Sequence, residues 1–165
     1  MIYQAFAGCL LLTLLTAGAI AQTKSLSALE QLKALAGEWE GKASDGSSRQ
    51  VKYEIVSGGS AVLETLQESA QSSMLTVYHL DGKKLLATHY CSAGNQPRLL
   101  ANLPAGPVKT LKFAFLDVTN LAAPAAGHMR QLTIHLLDAD YFTQEWTYQE
   151  NGKALAETFQ WQRKK

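Results

Sequence analysis

The segment "FTQEWTYQENGKALAETFQW", Phe142 to Trp161, has an Asn-Gly pair at its centre, and this pair leaves one hairpin register that sorts the flanking side chains. Asn and Gly both accept the positive φ that a two-residue type I′ turn demands. Closing the hairpin at Asn151-Gly152 sets Tyr148 opposite Leu155, Trp146 opposite Glu157, Gln144 opposite Phe159 and Phe142 opposite Trp161. Residues opposite each other in an antiparallel ladder share a face, so the register can be checked. One face is apolar and aromatic; the other carries Thr147 with Ala156, Glu145 with Thr158 and Thr143 with Gln160. A chain that ends this way is building a half-buried antiparallel sheet.

Two further turn signals extend the pattern. Gly58-Gly59 puts Val51, Tyr53, Ile55, Val62, Glu64 and Leu66 on one face, with Gln50, Lys52, Glu54, Thr65 and Gln67 on the other and Leu63 as an exception. Asp81-Gly82 brings Met74 opposite His89, Thr76 opposite Ala87 and Tyr78 opposite Leu85. There the other face (Leu75, Val77, Leu86, Tyr90) is apolar too, and alternation alone does not say which face points inward. About ten strands result: 38–43, 49–57, 60–68, 73–80, 83–91, 97–101, 110–117, 129–137, 141–149 and 154–163. A capping box at Ser27-Ala28-Leu29-Glu30, followed by Leu29, Leu32, Leu35 and Ala36 on one face and stopped by Gly37, predicts one short N-terminal helix. Consecutive hairpins without crossover helices favour an all-β, antiparallel up-and-down barrel over an open sheet with two bare edges. A β-sandwich is the alternative architecture.

Residues 1–21 read as an export signal: Cys9 to Leu15 is an apolar core too short to span a bilayer, and Ala19-Ile20-Ala21 is a small-x-small cleavage site, although Lys and Arg are lacking ahead of the core. Cleavage leaves residues 22–165 as a single domain with a periplasmic or secreted location. Cys91 is then the only cysteine, so no internal disulfide staples the fold. A net charge of +1 with scattered Lys and Arg offers no stripe for nucleic acid and no polybasic membrane patch. The exported chain is expected to be a monomer.

"LAGEWEGKA", Leu35 to Ala43, opens the first strand with Gly37-x-Trp39, and Arg163 ends the last strand. In this the chain resembles the lipocalin and fatty-acid-binding superfamily, the calycins, where such a Trp packs across the closed barrel end against an Arg of the final strand. Guanidinium over indole is a sound cation–π seal. The segment "YHLDGKKLLATHYCSAGNQPR", Tyr78 to Arg98, together with His128-Met129, is similar to exported bacterial proteins with a lipocalin-like or nitrobindin-like barrel. The likeness extends over most of the mature chain and implies a fold, with no established activity. Nitrobindin-like relatives hold haem through a histidine late in the chain. Ala154 to Arg163 contains none, so no cofactor is predicted, and haem and peroxynitrite isomerase activity are not expected.

In an up-and-down barrel successive loops alternate between the ends. One end then gathers the connections 44–48, 69–72, 92–96, 118–128 and 151–152, and with them most of the polar candidates. The ligand-contact candidates are Glu64, Tyr78, His89, Asn95, Gln96, Arg98, His128, Gln144, Trp146 and Glu157. In this reading Arg98 and His89 orient a ligand's polar end while its apolar body lies against Phe142, Trp146 and Phe159. Gly94-Asn95-Gln96-Pro97 equally suits a plain turn, with an Asx turn at Asn95. His89 and Cys91, two apart on a strand, are too far from each other for a nucleophile–base pair, and the four histidines lack compact ligand spacing, so no metal is expected. The expected function is an exported binder of a small, partly apolar molecule. The alternatives are a cavity-type enzyme, an isomerase or hydrolase using His89 with Glu64 or Glu157, and a structural or interaction module without ligand. No residue is assigned as catalytic.

Overall fold

The computed structural model describes residues 28–67, 72–102 and 108–165, the side chain of Asn102 excepted. A short helix α1, 28–33, precedes ten strands: β1 (Gly37–Ala43), β2 (Ser48–Val56), β3 (Ala61–Gln67), β4 (Ser73–Asp81), β5 (Lys84–Tyr90), β6 (Gln96–Asn102), β7 (Thr110–Thr119), β8 (His128–Leu136), β9 (Tyr141–Glu150) and β10 (Lys153–Arg163). They close into an antiparallel barrel in which each strand pairs with its sequence neighbours and β10 returns to β1. Closure removes the bare edges that an open sheet of this length would carry. The predicted export segment 1–21, its expected cleavage site and the predicted capping residue Ser27 lie outside the described residues.

The Asn151-Gly152 hairpin forms in the predicted register, with Trp146 opposite Glu157 and Phe142 opposite Trp161. The Gly58-Gly59 register also holds, pairing Tyr53 with Glu64, but the loop widens to Ser57–Ser60 around a single 3-10 turn. The third hairpin differs. Asp81 pairs with Lys84, so the loop is Gly82-Lys83, with positive φ at Gly82 alone. Glycine in the first loop position is the type II′ pattern, whereas the Asp-Gly reading assumed type I′. The correction moves every partner by two residues: Thr76, not Met74, faces His89, and Tyr78 faces Ala87. Because the side-chain period is two, the inward set is unchanged. Met74, Thr76, Tyr78, Leu85, Ala87 and His89 are all buried, which settles which face points inward.

Inward residues fill the barrel. Trp39, Tyr53, Tyr78, Phe113, Phe142 and Trp161 are among the largest fully buried side chains. At the end that carries α1, Ala28, Leu29, Leu32 and Leu35 are buried over the core. The Arg163 guanidinium lies 4.1 Å from the Trp39 ring centre and donates to the carbonyls of Ala34, Ala36 and Ala139. Trp39 in turn donates its indole N–H to Leu35 at 2.8 Å. This end is sealed as the Gly-x-Trp and Arg163 pattern predicts, and the remaining polar groups lie deeper or toward the opposite end.

Candidate functional site

One row of the ladder carries the polar interior: Tyr53 on β2 pairs with Glu64 on β3, Glu64 with Thr76 on β4, and Thr76 with His89 on β5. All four are buried. The Glu64 carboxylate accepts hydrogen bonds from Tyr53 at 2.8 Å and Tyr78 at 2.5 Å. Gln144 reaches across the barrel from β9 and donates to both Glu64 oxygens at 3.0 Å, while its own oxygen accepts from the Trp161 indole at 3.3 Å. Burial pushes the Glu64 carboxyl above its usual range, against these bonds, which act to lower it. Burial and the neighbouring carboxylate push the Tyr53 and Tyr78 hydroxyls well up as well, so both act as donors. This cluster is internally satisfied.

His89 is satisfied on one side only. Its Nδ1 lies 3.0 Å from the Thr76 hydroxyl, and its ring packs on Trp146 with centres 4.7 Å apart. The other nitrogen, Nε2, is buried and has no hydrogen-bond partner. With the residue 2% exposed, burial holds the imidazole down at about 4, so it is neutral at pH 7. Asn95 repeats the pattern in the loop after β5. Its amide nitrogen donates to Gly127 at 2.8 Å, while its buried oxygen is unpartnered. The predicted Asx turn is replaced by this tie between two loops, and Asn120 adds a second by donating to Gly94.

Around this end Phe115 packs on His128, with ring centres 5.3 Å apart, and Arg130 lies 3.9 Å from the Phe115 ring centre. His128 is buried, its Nδ1 2.8 Å from the Ala126 carbonyl. The β7–β8 pairing runs only from Thr110–His135 to Ala114–Gln131, and register shifts occur on either side of it, at Arg98/Leu99 on the β6–β7 pair and Met129/Gln131 on the β8–β9 pair. Glu157 is half-buried opposite Trp146, on the inward face of β10. Arg98 does not join the group. Between inward Pro97 and Leu99 it points outward, 44% exposed, and makes a two-pronged ion pair with Asp117 on the outer wall. Gln96 bonds Thr119 and Gly94 at the rim. The expectation that Arg98 and His89 converge on one ligand is therefore corrected: the barrel wall separates them.

The sequence reading missed Thr76 as the partner of His89 because of the two-residue register error. It also missed the reach of Gln144 to Glu64, a pairing 80 residues apart across the barrel that no ladder register encodes.

No family model matches the sequence, and a search of curated proteins returns no match. Among solved structures the chain is similar to a protein of unknown function from the DUF3598 family of Nostoc punctiforme PCC 73102, with 16% identity and a TM-score of 0.55. The match covers 81% of this chain and 49% of that one, so the chain spans about half the length of that neighbour. This likeness supports the fold alone.

Proposed function

We propose that the protein binds a small, partly apolar molecule at the end of the barrel opposite the Trp39–Arg163 seal, with His89 Nε2 as anchor for the ligand's polar group. The observation that carries this reading is the imidazole: neutral, held by Thr76 and Trp146, and lacking a partner at one buried nitrogen. A buried polar atom left unpaired costs roughly 1–3 kcal/mol, which a guest hydrogen bond would recover. A ligand hydroxyl serves either tautomer, since it both donates and accepts. Trp146, Phe115 and Met129 would meet the apolar body.

The same reading makes the chain a lipocalin-like carrier, exported under the direction of residues 1–21 and working as a monomer. The ten-strand closure and the Trp39–Arg163 seal support the barrel part of this reading. The enzyme alternative is less well supported. His89 turns Nδ1 to a threonine instead of a carboxylate, and Glu64 is already held by two tyrosines and Gln144. Neither group is oriented as the base of a catalytic pair.

Native mass spectrometry of wild type and His89→Phe, each purified without detergent and then exposed to a cell extract, tests the proposal. Wild type should carry a dissociable small-molecule adduct, and occupancy in His89→Phe should fall by about tenfold, the scale of one buried hydrogen bond. Equal occupancy in the two proteins, or no adduct on wild type, would overturn the assignment.

A further inference from the structure

The outer wall holds a groove that plays no part in the interior site. It begins at Gly41, where a Cβ would stand 2.1 Å from the Gln160 carbonyl oxygen and 2.7 Å from the Trp161 ring, so β1 lies tight against β10. Over this seam is a cleft of about 610 Å³. A second, of about 280 Å³, shares Lys42 and Gln160 with it and continues toward Ser44 and Gly46. The two clefts therefore adjoin on the outer wall of β10 and β1.

Its chemistry is regular. One ladder row runs Tyr141, Gln162, Glu40, Gln50, Gln67 across five strands from β9 to β3, with neighbours about 4.8 Å apart. Gln50 carries an acceptor oxygen and two N–H donors, a set that matches adjacent hydroxyls, which both donate and accept, while Gln162 uses one N–H on Tyr141 and Gln67 one on Ser72. The aliphatic stems and the Tyr141 ring, 44% exposed and held by a 2.9 Å bond from Gln162 to its hydroxyl, give apolar contact beneath the polar tips. Among the described residues Glu40 and Lys42 enter none of the ion pairs.

These features select among long polar ligands. A polyanion would find Lys42 and Arg49 in the cleft but would have to pass Glu40 in the middle of the row, so the mixed lining favours no net charge strongly. An extended peptide binds β-proteins chiefly by adding a strand to an open edge, and the closed barrel has none. A sugar chain has what the row requires: hydroxyls at the rim of each ring for the amides and C–H faces for the stems and the tyrosine. We propose that the groove over β10, β1 and β2 binds a neutral oligosaccharide, independently of the barrel interior.

The test is titration of the isotope-labelled full-length protein with cellohexaose, maltohexaose, xylohexaose and chitohexaose, following the glutamine side-chain amides by NMR and the affinity by calorimetry. At least one sugar should shift the amides of Gln50, Gln160 and Gln162. Gln50→Ala and Tyr141→Ala should each weaken that sugar by about tenfold, one hydrogen bond or ring contact, whereas Arg98→Ala on the far wall should leave it unchanged. Four results overturn the proposal: no shift with any of the four sugars, shifts confined elsewhere, full affinity in folded Gln50→Ala, or an equal response to hexagalacturonate or a hexapeptide.

Discussion

Glu64 and His89 are both buried and titratable, and they pull the stability of the barrel in opposite directions with pH. Burial raises the folded Glu64 carboxyl, so its contribution is fully present below the unfolded value near 4.5 and is lost as pH rises through the folded value. For His89 the folded value is depressed from 6.5 to about 4, so stability present above 6.5 is lost as pH falls toward 4, by roughly 3 kcal/mol in total. Comparing the melting profiles of wild type and His89→Phe should therefore show their difference changing between pH 6.5 and 4 and flat above 7. For Glu64 the informative contrast is Gln against Leu. Glu64→Gln keeps an acceptor for Tyr53 and Tyr78 and should be mild. Glu64→Leu strands both hydroxyls and the Gln144 amide and should cost about 3 kcal/mol or more in urea denaturation. Similar losses for the two variants would mean that the network contributes little.

At the scale of strands and turns, the β9–β10 hairpin was legible because Asn151-Gly152 admits one register that puts Phe142, Trp146, Phe159 and Trp161 together. The β4–β5 hairpin was half legible. Asp81-Gly82 and Gly82-Lys83 both make good two-residue turns and both keep the same inward face, so the fold survives either choice while the contacts do not. That is why the barrel could be read and the Thr76–His89 bond could not. Arg98 was legible but misjudged: apolar Pro97 and Leu99 on either side of it already signalled that the guanidinium alternates outward. Its exposed pair with Asp117 should matter little, and Arg98→Ala should leave the melting temperature unchanged within error. Gly41 is the opposite case. Gly41→Ala drives a methyl into the Gln160 backbone and should cost about 2 kcal/mol or more, read from the urea midpoint; a neutral substitution would show that β1 and β10 can part.

The molecule as a whole is a barrel with one sealed end, a satisfied polar centre and an unsatisfied polar group toward the other end. Arg163 joins three carbonyls to the Trp39 ring at the seal, a planar fork that lysine cannot reproduce. Arg163→Lys should therefore destabilise the whole barrel by about 2 kcal/mol while sparing ligand binding at the far end, and a loss of binding at full stability would contradict that separation. Besides Gln31 Oε1 on α1 and Asn95 Oδ1 in the loop after β5, the buried polar atom that lacks a partner among the described residues is His89 Nε2, on the inward face of the barrel. Its state can be read directly by NMR of protein labelled with ¹⁵N-histidine, as purified and after ligand has been stripped under mild denaturation and refolding. The account predicts a neutral His89 down to about pH 4, an Nε2 resonance that moves between the two samples, and an Nδ1 resonance that stays in place against Thr76. An Nε2 signal identical in both samples, or a His89 that titrates near 6.5 like an exposed imidazole, would contradict it.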